Sequence, residues 1–249
     1  VYPDKFISIA EETGLILPLG EYVLRSACRQ AKKWQQDGLP AVRVAVNLSM
    51  AQLYQSNLRN MVEDVLRECD LPAACLELEV TETMVMQNPE RTIQILRELK
   101  AMGVHISLDD FGTGYSSLSC LQQLPLDTIK VDRSFMQNFR RDSDDYGIVK
   151  AAIELTHSLK MSVIVEGVET VEQLQILRRL KCDAIQGYLL SPPVPPRPSP
   201  KCSASPTAPP SSANRNAKSR QSRHSTKSRH EQEACVRHRP LVMPQSMSP

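Results

Sequence analysis

The sequence is poor in aromatic residues and in long apolar runs. Only 4% of its 249 residues are Phe, Trp or Tyr, and Trp34 is the single tryptophan. No run reaches the roughly 18 apolar residues that a membrane-spanning helix requires, and no signal peptide is evident. Neither a GxGxxG nor a GxxxxGK[ST] motif occurs, so a dinucleotide-binding or P-loop fold is not supported.

Paired cysteine motifs are also missing. Seven cysteines are scattered through the chain without a CxxC pair or a zinc-finger spacing. An odd number of scattered cysteines is typical of reduced, buried thiols. We therefore predict a cytoplasmic domain with no membrane segment in this chain, although a longer parent protein could carry a membrane anchor.

Charge and proline divide the chain into two segments. Residues 192–249 contain 10 Lys and Arg against 2 Asp and Glu, together with 12 of the 18 prolines, whereas residues 1–191 have a net charge of −6. The acidic first segment argues against specific nucleic-acid binding. We predict one folded domain over residues 1–191 and a disordered tail over 192–249. A reading-frame change or foreign sequence is our leading explanation of the tail; binding of nucleic acid or anionic lipid is the alternative.

Strand-like and helix-like segments alternate along residues 1–191. Apolar, β-branched runs predict six strands, and the intervening segments have helical spacing, including one helix over residues 50–69. Alternating βα units indicate a parallel sheet. The predicted strands are centred on Val44, Leu78, Ile106, Ile129, Ile164 and Ile185. Polar residues stand at the carboxyl ends of these strands: Asn47, Glu79, Asp109, Asp110, Lys130, Glu166 and Gln186. A TIM-type (β/α) barrel collects its catalytic groups there, so we predict that α/β fold.

Residues 104–132 contain the closest grouping of side chains with potential chemical roles. A strand over residues 104–108 is predicted to end at Asp109 and Asp110, followed by a loop with Gly112 and Gly114. Two adjacent carboxylates repel each other unless a cation or a proton offsets their charge. A divalent cation with oxygen ligands is one solution, and a pair of turn or helix-cap residues is the other. The residues alone leave both open.

Six motifs in the chain resemble those of the EAL domain family of cyclic-di-GMP phosphodiesterases, in the order of that family. They are NLS at 47–49, ELEVTE at 77–82, DDFGTGYSS at 109–117, IKVD at 129–132, EGVET at 166–170 and QGY at 186–188. The strand with the Glu-Ala-Leu motif is absent, and the pattern stops near residue 192. We therefore expect a fragment of the family, with a barrel incomplete at both ends.

The resemblance implies metal-dependent hydrolysis of cyclic-di-GMP to linear pGpG, with two Mg²⁺ or Mn²⁺ ions. The implied metal ligands are Asn47, Glu79, Asp109, Asp110 and Glu166; the implied catalytic residues are Lys130, Glu166 and Gln186. The implied supports of the substrate loop are Glu82, Gly112, Thr113 and Gly114. A homodimer through barrel helices, and upstream GGDEF or sensor domains in the parent, are also expected from the family.

Alternatives remain at several positions. Lys130 could form a structural ion pair only, and Glu169 could be a helix-start acid rather than a site residue. We interpret His105 and His157 as core or surface residues. At the level of function, the alternatives are a catalytically inactive module that binds cyclic-di-GMP as a sensor, and an inactive truncated product.

Overall fold

A computed structural model of the chain describes residues 3–114, 118–195 and 241–242. The helices are α1 (Pro3–Glu12), α2 (Ile16–Gln36), α3 (Met50–Leu53), α4 (Leu58–Cys69), α5 (Glu82–Gln87), α6 (Pro89–Ala101), α7 (Leu118–Leu121), α8 (Asp144–Ser158) and α9 (Val171–Arg179). The strands are β1 (Val44–Asn47), β2 (Leu76–Thr81), β3 (His105–Phe111), β4 (Thr128–Val131), β5 (Ser162–Val165), β6 (Ala184–Ile185) and β7 (Leu241–Val242). Within the described ranges, no helix combines the length and the apolar character needed to cross a bilayer.

All strands pair in parallel in one sheet, in the order β6-β5-β4-β3-β2-β1-β7. The first six strands in the chain are the six that the sequence predicts. With helices between them they form a curled, incomplete barrel, which confirms the predicted α/β fold. The predicted tail over 192–249 lies outside the described residues, except for residues 192–195 and the short strand Leu241–Val242 beside β1.

The strands alternate between an apolar face and a polar face. Leu76, Leu78 and Val80 of β2 belong to one buried apolar cluster with α2, α4 and α6, whereas Glu77 and Glu79 point the other way. The neighbouring strands repeat this alternation in register. A second apolar cluster packs β4 and β5 against α8 and α9. The packing of both clusters stabilises the sheet whose strands carry the polar residues at their carboxyl ends.

Two local predictions were wrong. The helix expected over residues 50–69 is split into α3 and α4 by residues 54–57, where Ser56 and Asn57 favour helix ends over helix interiors. Strand β3 does not end at Leu108 but runs to Phe111, which pairs with Val131 of β4 beyond an irregularity in the register. Asp109 and Asp110 therefore lie inside the strand.

Asp127 stabilises the opposite, amino-terminal edge of the sheet. Its Oδ2 accepts a hydrogen bond from the backbone N–H of Ile106 at 2.9 Å, and its carboxylate also contacts Lys100. We expect Asp127→Ala to lower the free energy of unfolding by about 1–3 kcal/mol, because a buried N–H loses its acceptor. Urea unfolding would measure the loss. Asp183 accepts from the N–H of Val163 in the same way but is more exposed, so Asp183→Ala is the milder control. Unchanged stability of Asp127→Ala would contradict this role.

Candidate functional site

Four side chains meet at the carboxyl edge of the sheet; those of Lys130 and Glu79 are buried, and those of Asp109 and Glu166 are partly buried. The ammonium of Lys130 on β4 lies 2.9 Å from Glu79 Oε1, 3.1 Å from Asp109 Oδ1 and 2.7 Å from Glu166 Oε1. The carboxylates come from β2, from β3 and from the residue after β5. The lysine side chain is only 3% exposed. The parallel sheet thus brings together four residues that are separated by up to 87 positions in the sequence.

The register irregularity in β3 shapes this cluster. Ser107 and Leu108 pair with Thr128 and Ile129, and pairing resumes at Phe111 with Val131, so Asp109 and Asp110 together face Lys130 alone. This two-against-one arrangement is a β-bulge, a feature that re-aims side chains near functional sites.

The conformation of Asp110 belongs to the same bulge. Its φ of +54° lies in the left-handed region, which Asp tolerates better than most residues. Its N–H donates to Asp109 Oδ1 at 3.1 Å. The bulge therefore brings two successive carboxylates to one edge, where a regular strand would point them to opposite faces.

The cluster carries excess negative charge. When all four groups are ionised, three carboxylates and one ammonium leave two negative charges, before Asp110 is counted. Burial raises the pKa of Glu79 to about 7, although the nearby Lys130 opposes the shift. Burial also raises the pKa of Glu166 and of Asp110, and the charge of Asp109 adds to both shifts. Burial alone would lower the pKa of Lys130, but the three carboxylates outweigh it and raise that pKa, so the ammonium keeps its proton.

Glu82 holds the loop that follows β3. Its side chain is buried, and Oε2 accepts hydrogen bonds from the backbone N–H groups of Gly112 at 3.0 Å and Gly114 at 3.2 Å. The hydroxyl of Thr113 donates to the Asp110 carbonyl at 2.8 Å. On its other side, the ring of Phe135 lies so close to Gly112 that a Cβ there would stand 2.8 Å from the ring. Glu82 thus holds both glycines of the loop, while Thr113 between them is held by the Asp110 carbonyl.

We expect Glu82→Ala to accelerate amide hydrogen exchange at Gly112 and Gly114 by about 10–100-fold. Hydrogen bonds to a charged acceptor contribute about 1.5–3 kcal/mol, and 1.36 kcal/mol is a factor of ten. Exchange measured by NMR would report both amides separately. Glu82→Gln keeps one carbonyl acceptor and should show a smaller increase. Exchange that is unchanged in Glu82→Ala would show that the loop is held by other contacts.

Asn47 and Gln186 complete the set of predicted site residues. Asn47 is the last residue of β1 and pairs in register with Glu79, and it is exposed. Gln186 follows β6, where its N–H donates to the carbonyl of Val165, and its Oε1 is buried without a hydrogen-bond partner. Both therefore lie at the carboxyl edge of the sheet, on either side of the lysine-centred cluster.

The oxygens of this edge suit a hard divalent cation. Glu79 Oε1 and Glu166 Oε1 lie within ion-pair distance of Lys130 but make no hydrogen bond of normal geometry, and Gln186 Oε1 is unpaired. Carboxylate and amide oxygens are the ligands that Mg²⁺ and Mn²⁺ prefer. In the described part of the chain, no three acidic, His or Cys side chains already stand in a metal-binding arrangement. The oxygen donors and the excess negative charge fit a bound cation. In this structure, the carboxylates contact the ammonium of Lys130 instead.

Four further polar residues lie beside this cluster or away from it. Asp132 was not predicted as a site residue, but it is close enough to Asp110 for its charge to raise the pKa of that carboxyl. Its place two residues after Lys130 was the available signal. Glu169 is exposed and precedes α9. His105 lies 3.7 Å from Asp127, and His157 lies 3.0 Å from Asp183, so both are at the opposite edge of the sheet.

The sequence matches the family model described as EAL domain over residues 1–193. The bifunctional diguanylate cyclase/cyclic di-GMP phosphodiesterase MucR of Pseudomonas aeruginosa is 44% identical over 195 residues, which cover 78% of this chain and 28% of MucR. The cyclic di-GMP phosphodiesterase NbdA of the same organism is 45% identical over 193 residues, covering 78% of this chain and 25% of NbdA. The chain thus spans about a quarter of the length of these curated relatives.

Solved structures agree with this family match. The PaMucR phosphodiesterase in complex with c-di-GMP has a TM-score of 0.76 and 44% identity, over 78% of this chain and 79% of that chain. The EAL domain of Mycobacterium smegmatis DcpA has a TM-score of 0.67 and 39% identity, over 70% of this chain and 79% of that chain.

Proposed function

The chain belongs to the EAL domain family, and we propose that the protein containing it hydrolyses cyclic-di-GMP to linear pGpG. The observation that carries this proposal is the convergence of Glu79, Asp109 and Glu166 on Lys130 at the carboxyl edge of the sheet. Two similar proteins, MucR and NbdA, are named cyclic di-GMP phosphodiesterases, which supports the same substrate here.

We assign the metal ligands to the oxygens of that edge. Two Mg²⁺ or Mn²⁺ ions bound there would neutralise charge on the phosphodiester and make a water acidic enough to ionise near neutral pH. The assigned ligands are Asn47, Glu79, Asp109, Asp110 and Glu166. The excess negative charge of the ionised cluster supports this assignment, and so do Glu79 Oε1 and Glu166 Oε1, which are buried and make no hydrogen bond of normal geometry.

The remaining side chains would transfer a proton or position the reacting groups. Lys130 keeps its proton, because three carboxylates surround it, and so serves as a fixed positive charge that orients the acids. Glu166, whose pKa is raised by burial, would act at the attacking water either as a metal ligand or as the base that takes a proton from that water. The unpaired Oε1 of Gln186 can accept a hydrogen bond that orients this water. The loop held by Glu82 would contact the substrate.

Turnover of cyclic-di-GMP tests the proposal. The purified protein would be incubated with cyclic-di-GMP and Mg²⁺ or Mn²⁺, with an EDTA control, and the nucleotides separated by chromatography beside a binding titration. Metal-dependent appearance of pGpG is the expected result. Binding without turnover would favour the sensor hypothesis, whereas neither binding nor turnover would indicate an inactive product. The presence of all the assigned acids and of Lys130 favours the enzyme.

We also propose that the chain is part of a larger, multidomain protein. The name of MucR joins a diguanylate cyclase to the phosphodiesterase, which supports our expectation that the parent protein carries a GGDEF or sensor domain. A homodimer and a cytoplasmic location remain predictions. Light scattering of the purified protein would measure the number of copies in solution.

A further inference from the structure

The turn after β1 is closed by a buried glutamine. Gln52 is 3% exposed, and its Oε1 accepts hydrogen bonds from Ser49 N at 3.1 Å and Ser49 Oγ at 3.0 Å. In return, Ser49 Oγ accepts from the N–H of Gln52 at 3.2 Å. This reciprocal arrangement is a capping box. It fixes the backbone two residues after Asn47.

A glycine makes room for this glutamine. A Cβ on Gly20 of α2 would stand 2.0 Å from Gln52 Nε2 and 2.3 Å from Cδ, so the amide of Gln52 lies directly against the helix backbone. Glycine weakens the interior of a helix relative to alanine. Its presence within α2, as the fifth of 21 residues, is therefore explained by the space that Gln52 occupies.

The capping box serves the turn more than the helix that it begins. Helix α3 contains only four residues, Met50–Leu53, so there is little helix for a cap to stabilise. The turn is also tied to the neighbouring strand, because the N–H of Leu48 donates to the Glu79 carbonyl at 2.9 Å. The backbone around Asn47 is thus fixed from both β2 and α2.

Asn47 depends on that backbone. Its side chain is exposed, and among the described residues none forms a hydrogen bond with it. No neighbouring side chain therefore holds the amide in place, and its position follows from the course of the turn.

We propose that Gln52, resting on Gly20, is a positioning residue that fixes the turn after β1 and thereby aims the Asn47 amide at the metal site. The inference depends on the proposed function, which assigns Asn47 as a metal ligand. Gln52 itself touches neither metal nor substrate; it acts through Ser49 and the backbone. Residues that orient a metal ligand typically alter metal affinity by about 10–100-fold when they are replaced.

Direct Mn²⁺ binding tests the proposal without relying on turnover. The protein would be titrated with Mn²⁺, and the EPR signal of the free ion would give its affinity. We expect Gln52→Ala and Gly20→Ala each to weaken Mn²⁺ binding by about tenfold or more. In the double variant, Gly20→Ala should add nothing, because the side chain with which its methyl group collides has been removed.

Two further variants separate positioning from general stability. Ser143 caps α8 by accepting from the N–H of Tyr146. Ser143→Ala should therefore lower the melting temperature while leaving Mn²⁺ affinity unchanged. Gln52→Glu can still complete the capping box and should retain more Mn²⁺ affinity than Gln52→Ala. If Gln52→Ala unfolds, Gly20→Ala and Gln52→Glu decide the question.

Asn47→Ala distinguishes the possible failures. If Asn47→Ala binds Mn²⁺ normally, the ligand assignment in the proposed function is wrong. If it weakens binding while Gln52→Ala and Gly20→Ala do not, the proposed function stands and the positioning role is overturned. The role is also overturned if Gln52→Ala weakens binding by the same factor in the Asn47→Ala background, because Gln52 would then act independently of Asn47.

Discussion

Replacing Lys130 with methionine is expected to lower the free energy of unfolding of the metal-free protein by about 3–5 kcal/mol. Removing one partner of a buried ion pair leaves uncompensated charge, and this costs more than a surface pair ever contributes. Here the lysine is 3% exposed and is the shared partner of Glu79, Asp109 and Glu166. Urea unfolding in EDTA measures the loss, and cyclic-di-GMP turnover should fall in parallel because the acids lose their common anchor.

The effect should depend on pH in a defined direction. Without the lysine charge, Glu79 and Glu166 have pKa values raised further above those of the unfolded chain. A raised pKa in the folded state gives stability that is present at low pH and is lost as pH rises. The destabilisation by Lys130→Met should therefore be smaller at pH 5 than at pH 8.

Lys130→Arg is the matched control for charge. It keeps the positive charge but changes the shape of the donor group, so it should recover part of the stability and little of the turnover. A Lys130→Met variant as stable as the parent protein at pH 8 would contradict the central place of Lys130 in the cluster.

The sequence allowed the strands to be predicted because each has a clear local pattern. In β2, acidic and apolar residues alternate (LELEVTE), and an acid on a covered strand such as Glu79 requires a partner, which in the structure is Lys130. The bounds of helix α6 also follow a local pattern, with Asn88 and Pro89 at its start and Gly103, whose φ is +88°, after its end. Patterns of this kind depend on neighbouring residues and can be recognised without knowledge of the rest of the fold.

The features that were missed depend on contacts between distant segments. The β-bulge at Asp109 and Asp110 exists only because Phe111 regains its pairing with Val131, and no local pattern in β3 records the register of β4. The close packing of Gln52 on Gly20 likewise joins residues more than 30 positions apart. Such features form only in the assembled fold. The sequence therefore allowed the candidate site residues to be predicted, but not the contacts that position them.

Asp109→Asn is expected to reduce turnover of cyclic-di-GMP by more than about 100-fold while the fold persists. Replacement of residues that only orient metal ligands already costs about 10–100-fold, and Asp109 is assigned as a ligand itself. Asparagine has nearly the same shape and can still accept from Lys130 and from the N–H of Asp110, which lie at 3.1 Å in both cases. Steady-state kinetics with Mn²⁺, beside circular dichroism, separate the loss of activity from unfolding.

Asp127→Asn is a closely matched control at the other edge of the sheet. Asp127 also accepts from a backbone N–H, that of Ile106, and also pairs with a lysine, Lys100. The two substitutions therefore remove the same charge from similar surroundings, and only one is at the proposed metal site. If both variants lost turnover equally, the loss would reflect general disturbance of the sheet. If Asp109→Asn retained turnover, the metal role of Asp109 would be wrong, and Lys130 would then be bound by its carboxylates for structural reasons alone.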